Sequence, residues 1–185
     1  MIDQTKMVLR YFIGFENTQK RFEMLENFLM RTGIRRVLLF SAPFVEESSI
    51  ISAKYYRKHA QMIQPYADKL KHAGVEVGIN MLYTIGHCFY ADENETGFRR
   101  AVTMDAEKSR GCVCMRDKNI LPYIKEIYQY YAALKPSVIF ADDDIRVISL
   151  GQLTCFCSEH MRLISEKIGK NLTIDEVREH IIHSG

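Results

Sequence analysis

Four short, continuously apolar runs constrain this chain more than any other feature: residues 7–14 (MVLRYFIG), 37–42 (VLLFSA), 75–82 (VEVGINML) and 138–141 (VIFA). Runs of this length, rich in Val, Ile, Leu and Phe, read as strands buried on both faces. Stretches of helical spacing separate them. Asn17 or Thr18 can cap the first helix, which shows Phe22, Leu25 and Leu29 on one face and stops at Gly33. A longer one runs to about Ala73 with Tyr56, Ala60, Ile63, Ala67 and Leu70 aligned; Pro65 is expected to kink or divide it. Residues 120–134 resume the period through Ile120, Ile124, Ile127, Tyr131 and Leu134. Two helices follow the last strand, at about 159–168 and 174–183, the second opened by the capping box Thr173-x-x-Glu176.

The resulting order is βαβαβαβα with no hairpin turns, which predicts a parallel α/β sheet. Periodicity alone suits a small doubly wound sheet and the first half of an eight-stranded barrel equally. With 185 residues and 47% hydrophobic content, one domain with its own core is expected. After Tyr83 the period is lost for roughly three dozen residues, a loop of the length that is usually functional.

Charge narrows the partners. Lys+Arg 25 against Asp+Glu 23 leaves no basic footprint for nucleic acid or an anionic membrane. No apolar run is long enough to span a bilayer, and the start has no secretory pattern, so a cytoplasmic location is expected. An odd cysteine count of five without an export signal argues against a disulfide framework. Cys88 stands apart and reads as a packed thiol.

Candidate chemistry is concentrated between Arg110 and His160. Cys155-x-Cys157-x-x-His160 supplies three zinc-type ligands within six residues. Cys112 or Cys114, arriving from the loop after the third strand, can provide the fourth. Four protein ligands leave no position for water, so the implied zinc is structural and ties two strand-end loops together. Asp142, Asp143 and Asp144 follow the fourth strand, on the edge where parallel sheets collect functional groups. They can act as general acid or base, as metal ligands, or as acceptors for hydroxyls. Tyr83, His87, Phe89 and Tyr90 offer stacking surfaces for a ligand ring. No phosphate-binding loop, dinucleotide fingerprint or serine elbow is present.

The succession RGCVC, helix, VIFADDDIR, CFCSEH resembles glycoside hydrolase family 42, the β-galactosidase-like barrel enzymes, from about Leu9 to Val177. The resemblance implies the first four βα units of a (β/α)8 barrel spanning residues 1–185. Arg110 and Cys114 have the family's spacing between a substrate-site arginine and a zinc cysteine. Cys155, Cys157 and His160 fall on the remaining zinc positions, with histidine replacing the family's last cysteine. Asp143 and Asp144 stand where the family has Asn-Glu, so Asp144 takes the acid/base place and Asp143 and Arg110 become substrate contacts. Asp144 is one methylene shorter than Glu, about 1.5 Å, and an ionised Asp143 cannot donate to a sugar hydroxyl as asparagine does.

The family's nucleophile comes from the seventh strand, and retaining glycosidases need two carboxyl groups about 5–5.5 Å apart. The expectation is therefore the acid/base-side half of a galactoside-hydrolysing site, inactive alone and completed by a C-terminal half or by dimerisation. The competing reading is a non-catalytic carbohydrate-binding or zinc-stabilised interaction protein. A third is a metallohydrolase whose aspartates hold a catalytic metal.

Overall fold

The structure is a computed structural model that describes residues 7–41, 52–81, 97–142, 148–149 and 152–184. These form two compact units: residues 7–41, 52–81 and 123–142 make the first, and 97–122, 148–149 and 152–184 the second.

The first unit is an α/β layer built on a four-stranded, all-parallel sheet. Its strands are β1 (Leu9–Phe12), β2 (Arg36–Phe40), β3 (Glu76–Met81) and β6 (Ile139–Ala141), paired in that order. Arg10 is level with Leu38 and Leu38 with Gly78, while Asn80 is level with Phe140. Alternation sorts the side chains. Val37, Leu39, Val77, Ile79 and Met81 point to one face and are buried with the helices. The opposite face carries Arg10, Leu38, Phe40, Asn80 and Phe140; Phe140 is 49% exposed. Only β3 is buried along nearly its whole length, so the expectation of strands covered on both faces holds for that strand alone.

Gly78 has a steric reason. A Cβ there would lie 2.5 Å from Leu38 Cδ2 and 2.7 Å from Val138 Cγ1. The neighbouring strands close over the space a side chain would need.

Helix α1 (Thr18–Thr32) buries Phe22, Leu25 and Leu29 and ends at Gly33, whose left-handed φ of 73° lets its N–H reach Leu29 O. Asn17 occupies the N-cap without a side-chain bond; the Thr18 hydroxyl instead donates to Gly14 O. Helix α2 (Ala53–His72) starts at Ser52, whose hydroxyl accepts the Tyr55 N–H. It runs unbroken through Pro65, contrary to the expected division. Pro65 and Gln61, whose carbonyl loses its helical donor, are both on the exposed face, where water can serve instead. Helix α3 (Ile120–Ala132) is the third, with its residues from Tyr123 onward in this unit. Phe22 stacks on Tyr66 at 4.2 Å, and His59 bonds Tyr131 at 2.8 Å. Contacts thus run from α1 to α2 and from α2 to α3, placing the helices in one layer.

The second unit corrects the expectation of a chain without hairpins. Strands β4 (Arg100–Val102) and β5 (Lys108–Val113) pair antiparallel, as do β7 (Ile148–Ser149) and β8 (Gln152–Leu153). A bridge between Thr103 and Thr154, and the Phe156 N–H to Val102 O bond at 2.8 Å, join the segment after β8 to β4. These strands are too short, and β5 (KSRGCV) too polar, to stand out as apolar runs. Helices α4 (Ser158–Ile168) and α5 (Ile174–Ser184) complete the unit. The α5 capping box forms as expected: Glu176 accepts the Thr173 N–H and Thr173 accepts the Glu176 N–H. Among the described residues, no helix is long and apolar enough to cross a membrane.

Candidate metal centre

Strand β5 delivers Cys114 at its end, fully buried. Cys155 lies between β8 and α4, Cys157 is the N-cap of α4, and His160 falls in that helix's first turn. The three-residue step from cap to first turn brings the imidazole back over the cap, so His160 Nδ1 sits 3.2 Å from Cys157 Sγ. Cys114 Sγ lies 3.7 Å from Cys157 Sγ and 3.8 Å from His160 Nδ1. All four donor atoms, Cys155 included, lie within 4.8 Å of one another.

These separations suit a metal. A tetrahedron with metal–sulfur bonds near 2.3 Å and a metal–nitrogen bond near 2.0–2.1 Å has S···S edges of about 3.8 Å and S···N edges of about 3.5 Å. Three thiols and an imidazole form a closed donor set of the zinc-binding type. The four residues can therefore hold a metal ion. The choice between the two upstream cysteines falls on Cys114. Cys112 is buried too, but it sits two residues back along the strand, about 6–7 Å away.

Local electrostatics prepare the thiols unequally. Burial pushes the Cys155 thiol up to about 12, against the hydrogen bond its sulfur accepts from Val102 N–H at 3.3 Å. Burial also acts upward on Cys157, but hydrogen bonds from the His160 N–H and ring, Cys114 and Cys155 outweigh it and bring the thiol down to about 6. Its place at a helix N-terminus works in the same direction.

Charged groups surround the cluster. Arg99 Nη2 donates to Cys114 Sγ at 3.4 Å and to Glu159 Oε2 at 3.2 Å. Glu159 Oε1 also accepts from Arg116, at 2.8 Å. Burial lowers the Arg99 pKa, but its bonds to Cys114 and Glu159 and the nearby Cys157 charge raise it above the ordinary value. Glu159 is held below the usual carboxylate range by Arg116 and Arg99. Neither Arg99 nor Glu159 was singled out from sequence. Charged residues just before a strand or in a helix's first turn are too common to signal a role, although Glu159 stands between two ligands in CFCSEH.

The remaining expected site residues are placed less fully. Arg110 lies on β5, four residues before Cys114; its side chain falls outside what the structure describes. Asp143, Asp144, Cys88 and the aromatic group Tyr83, His87, Phe89 and Tyr90 also lie outside the described residues. Asp142 is described, at the carboxyl end of β6 in the first unit. Its Oδ2 accepts from Arg10 at 2.6 Å and from Asn80 Nδ2 at 3.2 Å. Among the described residues, the metal-capable cluster contains no aspartate. No protein-family model matches the chain, and no curated protein gives a significant match.

Proposed function

We propose that the chain forms the first four βα units of a glycosidase barrel of the β-galactosidase-like kind its sequence resembles, with a structural zinc at Cys114, Cys155, Cys157 and His160. The observation that carries this reading is the convergence of those four side chains. They are the positions that the resemblance to family 42 assigns to the metal, drawn from two segments more than forty residues apart. Zinc bound there would supply a rigid tetrahedral tie, with no coordination position left for water.

Two features of the first unit add support. Its strands follow in sequence order, β1-β2-β3-β6, without the reversal that defines a doubly wound sheet. The second is the 2.6 Å ion pair between Arg10 and Asp142, which joins the two outer strands. By register, Asp142 is four residues further along than Arg10. In a flat sheet the two backbones would be about 14 Å apart across the strands and about 13 Å along them. Side chains cannot meet over that span unless the sheet curls towards this face, as a barrel sheet does.

In this reading Asp144 is the general acid/base, and Asp143 and Arg110 contact sugar hydroxyls. In the family it resembles the nucleophile comes from strands beyond the first four, so these four units are expected to bind galactosides and not to cleave them by themselves. The test is saturation-transfer NMR with a methyl β-galactoside beside an aryl β-galactoside turnover assay. Saturable binding, lost in Asp143→Ala, with no turnover is expected. Absence of any galactoside binding contradicts the carbohydrate assignment. Turnover by the chain alone, abolished in Asp144→Asn, contradicts the incomplete site.

A further inference from the structure

The metal cluster has a guanidinium pressed against it that no ligand set requires. Arg99 is fixed at both ends of its backbone unit. Its N–H donates to Asp117 Oδ2 at 2.8 Å, and its carbonyl accepts the Cys114 N–H at 2.8 Å. Its side chain is thereby held beside the residue that carries the most buried of the cluster's thiols. Nη2 reaches both Cys114 Sγ and Glu159 Oε2. Glu159 is gripped from its other side by Arg116.

An ordinary surface ion pair does not account for this arrangement. Exposed pairs contribute little; the Arg99 side chain is 40% exposed, but its Nε is closed off from solvent with no hydrogen-bond partner. A guanidinium enclosed on that side is favoured by negative charge nearby. Three thiolates and a neutral imidazole around a divalent cation carry one net negative charge. Glu159, bound by two arginines, leaves that triplet with one net positive charge. The two sums cancel, and the N–H···S bond places the positive charge on a ligand atom.

We infer that Arg99, anchored by Glu159, is a positioning residue that neutralises the three-thiolate metal centre and slows release of its ion. This rests on the metal-binding reading above. An N–H donor on a thiolate draws electron density from the sulfur, so the ligand is less readily protonated or displaced. Arg116 acts one step further out, by orienting Glu159.

The test uses the full chain loaded with zinc, and transfer of the ion to a chromogenic chelator followed in time. Wild type is expected to release zinc slowly, Arg99→Met about 10–100-fold faster, and Arg99→Lys in between. Iodoacetamide labelling of Cys114, followed by peptide mass analysis, should accelerate in the same order, and the partial protection kept by Arg99→Lys but lost in Arg99→Met separates a charge role from packing alone. If Arg99→Met does not fold, Glu159→Gln carries the comparison, with release faster than in wild type. Equal release and labelling rates in wild type and the folded variants overturn the inference while leaving the metal site standing. A wild-type chain that takes up no zinc overturns the metal-binding reading itself.

Discussion

His59 shows how much of this chain's stability rides on single buried polar groups. Its Nε2 is 2.7 Å from Ile13 O, a carbonyl that can only accept, so Nε2 carries the proton. Nδ1 then accepts from the Tyr131 hydroxyl at 2.8 Å. The neutral ring is fully used and enclosed, and burial lowers its pKa to about 4 against the bond to Ile13 that raises it. A histidine depressed in the fold leaves stability unaffected above about 6.5. Below that the unfolded chain takes up a proton the folded chain refuses, so stability falls as pH drops towards 4. A shift of this size corresponds to roughly 3 kcal/mol. Denaturant titrations from pH 8 to pH 4.5 should show this decline in wild type and a shallower one in His59→Phe. That variant should also start about 1–3 kcal/mol less stable at pH 8, because Ile13 O loses its donor. Identical slopes in the two proteins would contradict the assignment.

At the scale of elements, apolar pattern and chain chemistry were readable to different depths. The four parallel strands stood out because each is a compact apolar run, and α1 because Gly33 ends it in the left-handed conformation. The hairpins stayed hidden: β7 and β8 have two residues each, and β4 owes its pairing to β5 rather than to any pattern of its own. The cysteines and His160 were legible through their spacing, whereas Arg99 acquires meaning only where the fold sets it against Cys114. The glycine in VEVGINML carried no message in sequence, yet the sheet depends on it. Gly78→Ala should cost about 1–3 kcal/mol through overpacking against Leu38 and Val138. Adding Val138→Ala should recover part of that loss in a double-mutant cycle. Strict additivity of the two changes would show that the strands do not meet at this point.

At the scale of the whole molecule, the first unit leaves apolar surface on its outermost strand and the turn before it. Val138 is 47% and Phe140 49% exposed, both at β6, which is an edge strand among the described residues. Exposed apolar strand edges invite association. The purified chain should therefore self-associate in light scattering, or bind a dye for apolar surface strongly as a monomer. A stable monomer with no dye binding would contradict that expectation. In the second unit the four ligands join the end of β5 to the start of α4. Metal removal should thus loosen this unit first. In the metal-free chain the Cys157 thiol, brought down to about 6, contributes stability that is lost as pH falls from about 9 through about 6, whereas the Cys155 thiol, pushed up to about 12, acts in the opposite direction above about 9.

The most direct test is the metal content of the purified full chain, measured by elemental mass spectrometry after gel filtration, alongside Cys112→Ser and Cys114→Ser. The account predicts one zinc per chain in wild type and in Cys112→Ser, and loss of the ion in Cys114→Ser. A wild-type chain without tightly held metal, or an ion lost with Cys112 and kept without Cys114, would contradict it.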